Sequence, residues 1–298
     1  MTSIWKNQKE RGSPFMLYLI RWIALHLGRG ASRLILYPIT FYFLVFAPSA
    51  RRASRHYLQR VSDHPIHIWH IARHFYHFSA TILDRVFLLT SKFSKLDIRI
   101  HNLELVERQL AAGSGCILLG SHIGSFEVLR ALAIIQYNLP VKVIMQEAHN
   151  ETITRILHSL NPRIGDSIIH LGGPDALLEV QEHLNKGYLI GILGDRAVAN
   201  DKTMFCEVLG EEAELPTGPI LAASLLNVPV MLFFGIYDKG NRYDIYFEEF
   251  AERITIHRDQ RDHDLNRWLQ KYADRLTYHA HQSPYNWFNF YEFWNAEV

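Results

Sequence analysis

The apolar run Cys116-Ile117-Leu118-Leu119, followed at once by Gly120-Ser121-His122-Ile123-Gly124-Ser125-Phe126-Glu127, restricts this chain more than any other stretch. Four consecutive apolar residues ending at a glycine read as a strand covered on both faces, the kind found inside a parallel sheet. The residues after it make a turn and then open a helix. From about Asp97 the same rhythm recurs. Short runs rich in Ile, Val and Leu over 116–119, 141–145, 167–170, 188–193, 228–236 and 243–247 read as strands. Helical patterns over 125–137, 150–161, 173–186 and 216–227 separate them, and a final helix is predicted over 261–281. Such alternation specifies an α/β fold with a largely parallel central sheet flanked by helices. Asp238-Lys239-Gly240-Asn241 reads as a hairpin turn, which makes the last two strands antiparallel.

The amino-terminal part follows a different pattern. Helices are predicted over 15–27, 32–47, 50–62 and 64–91. Residues 1–62 carry ten Lys or Arg (Lys6, Lys9, Arg11, Arg21, Arg29, Arg33, Arg51, Arg52, Arg55, Arg60) against one acid, Glu10, which is +9 in a chain of net charge +1. The remaining residues therefore carry about −8. Between those cations lie Phe15-Met16-Leu17-Tyr18-Leu19-Ile20 and the greasy stretch from Leu34 to Phe46. Cations interleaved with aromatic and aliphatic residues suit an anionic membrane lipid surface. They do not suit nucleic acid, which asks for a solvated basic stripe. Arg21 interrupts the first apolar run and Pro38 and Pro48 the second, so neither matches the roughly 20 residues of a spanning helix. The charged middle of this region also argues against a cleaved signal peptide. The expectation is a helical membrane region over 1–62 that lies on or dips into the interface, joined to a catalytic domain over 63–298. The alternative is a pair of amphipathic core helices.

Two cysteines, Cys116 and Cys206, sit in strand-like segments without metal spacing, and read as reduced core residues of a cytoplasmic protein. No metal ligand set is expected. His67, His70, His74 and His77 fall along one helical face. Apolar neighbours and the lack of a carboxylate or cysteine partner favour a polar or headgroup-facing stripe over a metal site. Asp84-Arg85 reads as a structural pair. Gly120-Ser121-His122 is not a nucleophile elbow, because the serine stands one place early. No dinucleotide or Walker glycine pattern occurs.

His122, at the carboxyl end of a strand, is placed where open α/β sheets bind ligands. With the helix beginning near Gly124 or Ser125, Glu127 falls in its first turn and can face back toward the imidazole, fixing its tautomer and stabilising the imidazolium. A His and a Glu capping an ordinary helix is the plainer reading. Arg196 ends a strand on the same sheet edge; it can hold a phosphate or oxyanion, or else pair with Asp195. Thr217 and Gly218 start a helix whose free N–H groups can cap or take a phosphate.

These segments together resemble one family. Gly-Ser-His122-x4-Glu127 after a strand resembles the His-x4-Asp/Glu motif of the lysophospholipid acyltransferase superfamily, and its context resembles the lipid A biosynthesis branch, the lauroyl/myristoyl acyltransferases. Tyr188-Leu189-Ile190-Gly191-Ile192-Leu193-Gly194-Asp195-Arg196, Leu215-Pro216-Thr217-Gly218-Pro219 and Pro284-Tyr285-Asn286-Trp287-Phe288-Asn289-Phe290 are similar to further segments of that branch, in order, over about 15–294. The amino-terminal Gln8-Lys9-Glu10-Arg11-Gly12-Ser13 resembles acyltransferases of polyene-pigment and related lipid gene clusters.

The resemblance implies a glycerolipid acyltransferase-like fold and transfer of a fatty acyl group from acyl carrier protein or coenzyme A to a hydroxyl. It implies no cofactor and no metal, and work at the cytoplasmic face of a bacterial inner membrane. His122 would be the general base and Glu127 its orienting partner. Asp195, Arg196, Gly124, Ser125, Thr217 and Gly218 are the substrate-binding candidates. Two rivals stand beside this reading: a thioesterase in which the same dyad activates water, and a non-catalytic lipid- or carrier-binding protein.

Overall fold

The computed structural model describes residues 22–146, 160–171, 176–197 and 201–294. Most of the predicted helices over 150–161 and 15–27, and the segment 8–13, lie outside them. Helical residues 22–26 lead into α1 (Gly28–Phe46), and α2 (Pro48–Val61) leaves it at 97°. The bend has a local cause. A residue preceding proline is driven out of the helical region, and Ala47, ahead of Pro48, has φ −119° and ψ 68°. No single described helix is long and apolar enough to cross a membrane; the bent α1–α2 pair passes by length and composition only when taken together. α3 (Ile68–Leu89) begins at a capping box in which His67 and His70 satisfy each other's backbone N–H groups.

The chain continues with β1 (Asp97–His101), α4 (Leu103–Ala111), β2 (Cys116–Gly120) and α5 (Phe126–Ala131), which runs into a π-helical turn, Leu132–Gln136. Then come β3 (Val141–Gln146), β4 (Ile168–Leu171), α6 (Ala176–Asn185) and β5 (Leu189–Leu193). A hairpin of β6 (Thr203–Val208) and β7 (Glu211–Pro216) precedes α7 (Gly218–Leu226), β8 (Val230–Tyr237), β9 (Arg242–Ala251) and α8 (Arg261–Gln282). Seven strands form one sheet in the order β1-β9-β8-β2-β5-β3-β4. From β8 through β2, β5 and β3 to β4 every pairing is parallel. β9 turns back antiparallel to β8, as the 238–241 turn predicts, and β1 joins β9 in parallel.

Both faces of the sheet are covered, and β2 shows why its sequence is apolar throughout. Ile117 and Leu119 point into one core with Leu232, Phe234, Leu269 and Trp287. Cys116 and Leu118 point into the other with Phe233, Phe247, Val128 and Leu83. Burying such a side chain stabilises the fold by about 1.5–3 kcal/mol, so all four bear on stability. Both cysteines are free and buried, and burial pushes the Cys116 thiol up to about 12 and that of Cys206 up to about 11.

α1 lies against α3 through an ionic joint. Asp84, fully enclosed on α3, accepts from Arg29 Nε and Nη2 and from Arg33 Nη2, each at 2.8 Å, and from the Tyr243 hydroxyl at 3.0 Å. Arg33 also donates to the Tyr237 hydroxyl. Ser32, Leu36 and Thr40 face inward at helical spacing, while Leu34, Tyr37, Phe41 and Val45 are exposed on the outside. The expected Asp84–Arg85 pair does not form: successive helix residues point about 100° apart, and Asp84 is taken by the arginines of α1.

Candidate active site

The site grows out of the pairing of two central strands. β2 and β5 lie parallel with Gly120 opposite Leu193. His122 and Asp195 are each two residues beyond that pair, so the strand period of two turns them to the same side of the same sheet edge. The geometry follows. His122 Nδ1 stands 2.8 Å from Asp195 Oδ1, and the His122 backbone N–H donates to Oδ2 at 3.0 Å. The Trp287 indole N–H, itself wholly buried, donates to Oδ2 at 2.9 Å. A carboxylate can only accept, so Nδ1 carries the proton and Nε2 presents its lone pair. Nε2 has no hydrogen-bond partner among the described residues, and the His122 side chain is 31% exposed.

Electrostatics suit a base. Burial pulls the His122 imidazole below its ordinary value and Arg196 adds to this, while Asp195 opposes both. Burial alone would raise the Asp195 carboxyl, but His122, Arg196 and the Trp287 N–H outweigh it and bring it to about 2. At neutral pH the pair is therefore a neutral imidazole oriented by a carboxylate.

The turn is pinned from two directions. Gly124 has φ +77°, and a Cβ there would lie 2.1 Å from the Gly235 carbonyl oxygen, so only glycine fits. Its N–H donates to Asn286 O, that of Ser125 to Gly235 O, and that of Phe288 to His122 O. The carboxyl-terminal segment thus closes over the turn through Ile123 and Trp287, which pair as an isolated β-bridge. Arg196 secures the same segment: Nε donates to Asn289 Oδ1 and Nη2 to Phe288 O, both at 2.8 Å, and the guanidinium lies over Tyr291. Arg196 forms no salt bridge with Asp195 among the described residues; two of its nitrogens hold the tail, and its charge acts on His122.

Glu127 is placed differently from the expectation. The side-chain partner of His122 Nδ1 is Asp195, and no hydrogen bond joins Glu127 to His122 among the described residues. From the first turn of α5, Glu127 pairs with Arg130 one turn on, at 3.0 Å, both buried. Carboxylate and guanidinium at i and i+3 on a helix meet without any help from the turn before it. Gly124 and Ser125 shape the turn, and their N–H groups are engaged within the protein. Thr217 donates its hydroxyl to Lys202 O, and no hydrogen bond or ion pair joins Thr217 or Gly218 to His122 or Asp195 among the described residues.

The histidine stripe divides. His74 is enclosed, bonded to Ser54 Oγ and Trp287 O, and His77 is buried against Tyr237 and Tyr285. Burial lowers both to about 3. The expected polar stripe is therefore half core, and only His67 and His70 remain at the surface end. Among the described residues no group of three or more His, Cys, Asp or Glu could hold a metal ion. Trp287 and Asn286 are site residues that spacing did not single out, although the segment containing them was noted.

A neutral imidazole held by a carboxylate at the carboxyl edge of a parallel α/β sheet can take a proton from a hydroxyl or from water. The match to known families is more specific: the model described as bacterial lipid A biosynthesis acyltransferase covers residues 17–295, and the chain belongs to that family. It is an acyltransferase, and the family points to acyl transfer onto a lipid acceptor; family members are membrane-associated. No curated protein sequence matches the chain.

Proposed function

We propose that this acyltransferase moves a fatty acyl group from a thioester of acyl carrier protein or coenzyme A to a hydroxyl of a lipid or glycolipid at the cytoplasmic face of the inner membrane, with His122 as general base and Asp195 as its orienting partner. Nε2 takes the acceptor hydroxyl proton as the oxygen attacks the thioester carbonyl. The tetrahedral intermediate collapses with loss of the thiolate, which takes the proton back from Nε2 and leaves as thiol. Ester and thiol balance alcohol and thioester, with no acyl-enzyme and no cofactor in the scheme. A thioester is already activated, so positioning and proton removal supply the acceleration.

The observation that carries the reading is the His122–Asp195 bond, because it fixes Nε2 as the nitrogen that meets the substrate. The outer face of α1, with Leu34 and Phe41 each 68% exposed and no acidic residue in that helix, supports a membrane-facing surface. The deciding experiment is transfer of a radiolabelled acyl group from carrier protein or coenzyme A to inner-membrane lipid extract by wild type and His122→Ala. Label appearing in lipid only with wild type supports the proposal. Release of free fatty acid alone, at equal rates with and without lipid, would make the protein a thioesterase.

A further inference from the structure

The charge of Arg85, on α3, is felt by Glu127 and Arg130 of α5, and Glu127 is already engaged by Arg130, whose Nε and Nη2 lie 3.1 and 3.0 Å from its Oε2. Of these three groups only Glu127 and Arg130 form an ion pair. The Arg85 Nε is buried without a hydrogen-bond partner, and the residue has no hydrogen bond or ion pair among the described residues. The residue as a whole is half-buried, so part of its side chain remains accessible. Burial pulls the guanidinium below its ordinary value, Glu127 opposes this and Arg130 reinforces it, and the Arg85 charge is felt at His122. An arginine keeps its proton even so, and a partly buried charge with no ion pair of its own is costly unless water or a ligand compensates it.

We propose that Arg85, with Arg130 and Glu127 setting the local charge, forms a subsite for a phosphate ester of the substrate. The proposal rests on the acyl-transfer reading for the source of that phosphate, since both donor carriers present their thioester on a phosphopantetheine arm and an anionic lipid acceptor carries phosphate of its own. The guanidinium fork matches phosphate oxygens, which lysine does not. Glu127 then has a reason to stand at its position without touching His122: it holds Arg130 and moderates the field around Arg85.

The test compares the full-length protein with Arg85→Met and Arg85→Gln. Inorganic phosphate should raise the melting temperature of wild type in a dose-dependent way and leave both variants unmoved. Without phosphate, Arg85→Met should melt at or above wild type, because an unpaired buried charge has been replaced by an apolar chain of similar length. Kinetics then locate the phosphate. If it belongs to the donor, wild type has a KM for acyl-phosphopantetheine about 10- to 100-fold below that for acyl-pantetheine, the range of one or two charge-assisted bonds, and Arg85→Gln erases the difference. If it belongs to the acceptor, Arg85→Gln instead raises the KM for lipid by that factor at unchanged donor KM. Phosphate stabilising the variants as well as wild type, or an Arg85→Met protein that melts well below wild type, overturns the subsite. Phosphate binding through Arg85 by a protein that transfers no acyl group would leave the subsite standing and remove the proposed function instead.

Discussion

The amino-terminal helix and the carboxyl-terminal segment are both tied to the same sheet, by opposite means. α1 is joined largely through charge: Arg29 and Arg33 converge on Asp84, and Leu34, Tyr37, Phe41 and Val45 are left facing out. The segment 284–294 is joined through grease and backbone: Trp287, Phe288 and Phe293 are buried, and its polar groups turn inward to Asp195, Arg196 and the His122 turn. A segment docked by ions keeps its hydrophobic surface available to a partner. One docked by aromatic packing gives that surface up and shapes chemistry instead. Changes in the first should therefore alter where the protein goes and whether it holds together, and changes in the second how fast it works.

The largest effect should fall at the site itself. His122→Ala is expected to lower turnover by about 10²–10⁴-fold with little change in melting temperature, measured as acyl transfer alongside thermal unfolding. Asp84→Asn comes next. It strands two largely buried arginines, which costs about 3–5 kcal/mol when one partner of a buried ion pair is removed. Chemical denaturation should show that loss while the folded fraction keeps wild-type kcat. A catalytic defect with unchanged stability would erase the distinction between the two segments.

Trp287→Phe tests the other segment. The ring is largely retained but the N–H to Asp195 is lost, leaving a buried acceptor short of a donor, worth about 1–3 kcal/mol. Part of that should appear in kcat at constant KM. The pH profile should move with it: a carboxylate relieved of one donor attracts the imidazolium more strongly, so the acid limb shifts to higher pH. In wild type that limb lies below the usual imidazole value, since His122 must be unprotonated and its pKa is lowered.

Acid should also loosen the junction between α3 and the segment. His74 and His77 stay unprotonated in the fold to about pH 3, whereas the unfolded chain binds these protons near 6.5. Stability is thus complete above about 6.5 and is lost as pH falls toward 3, by up to ~1.4 kcal/mol per pH unit for each histidine. A melting temperature flat between pH 6.5 and 4 would contradict this. The smallest effect should come from the exposed cations of α2. Arg52→Gln with Arg55→Gln is expected to weaken binding to anionic vesicles at low salt and to change nothing at high salt, where screening is strong. Undiminished low-salt sedimentation would take these arginines out of the surface.

The strands and helices of the central sheet were legible because burial on both faces writes itself as uninterrupted apolar runs, β2 above all. β1, α4 and the pairing of β6 with β7 were not. Asp97-Ile98-Arg99-Ile100-His101 is an edge strand with no fully buried residue, and Glu211-Glu212-Ala213-Glu214 carries charge where a strand signal needs bulk. His122 was legible from its place after β2. The side chain that meets its Nδ1 was not, because a motif measures distance along the chain, whereas Asp195 arrives from 73 residues away through strand register. Arg85 was hidden for a related reason: its sequence neighbour Asp84 invites a pairing that the helix geometry forbids.

The closing role of Trp287 also bears on biosynthesis. A ribosome delivers α1 before the residues that complete the setting of the His122–Asp195 pair. A nascent or prematurely terminated product lacking 284–294 would already carry the exposed apolar side chains of α1 but not the Trp287 N–H that holds Asp195. On the proposed function, the surface for the bilayer is thus made before the base is complete.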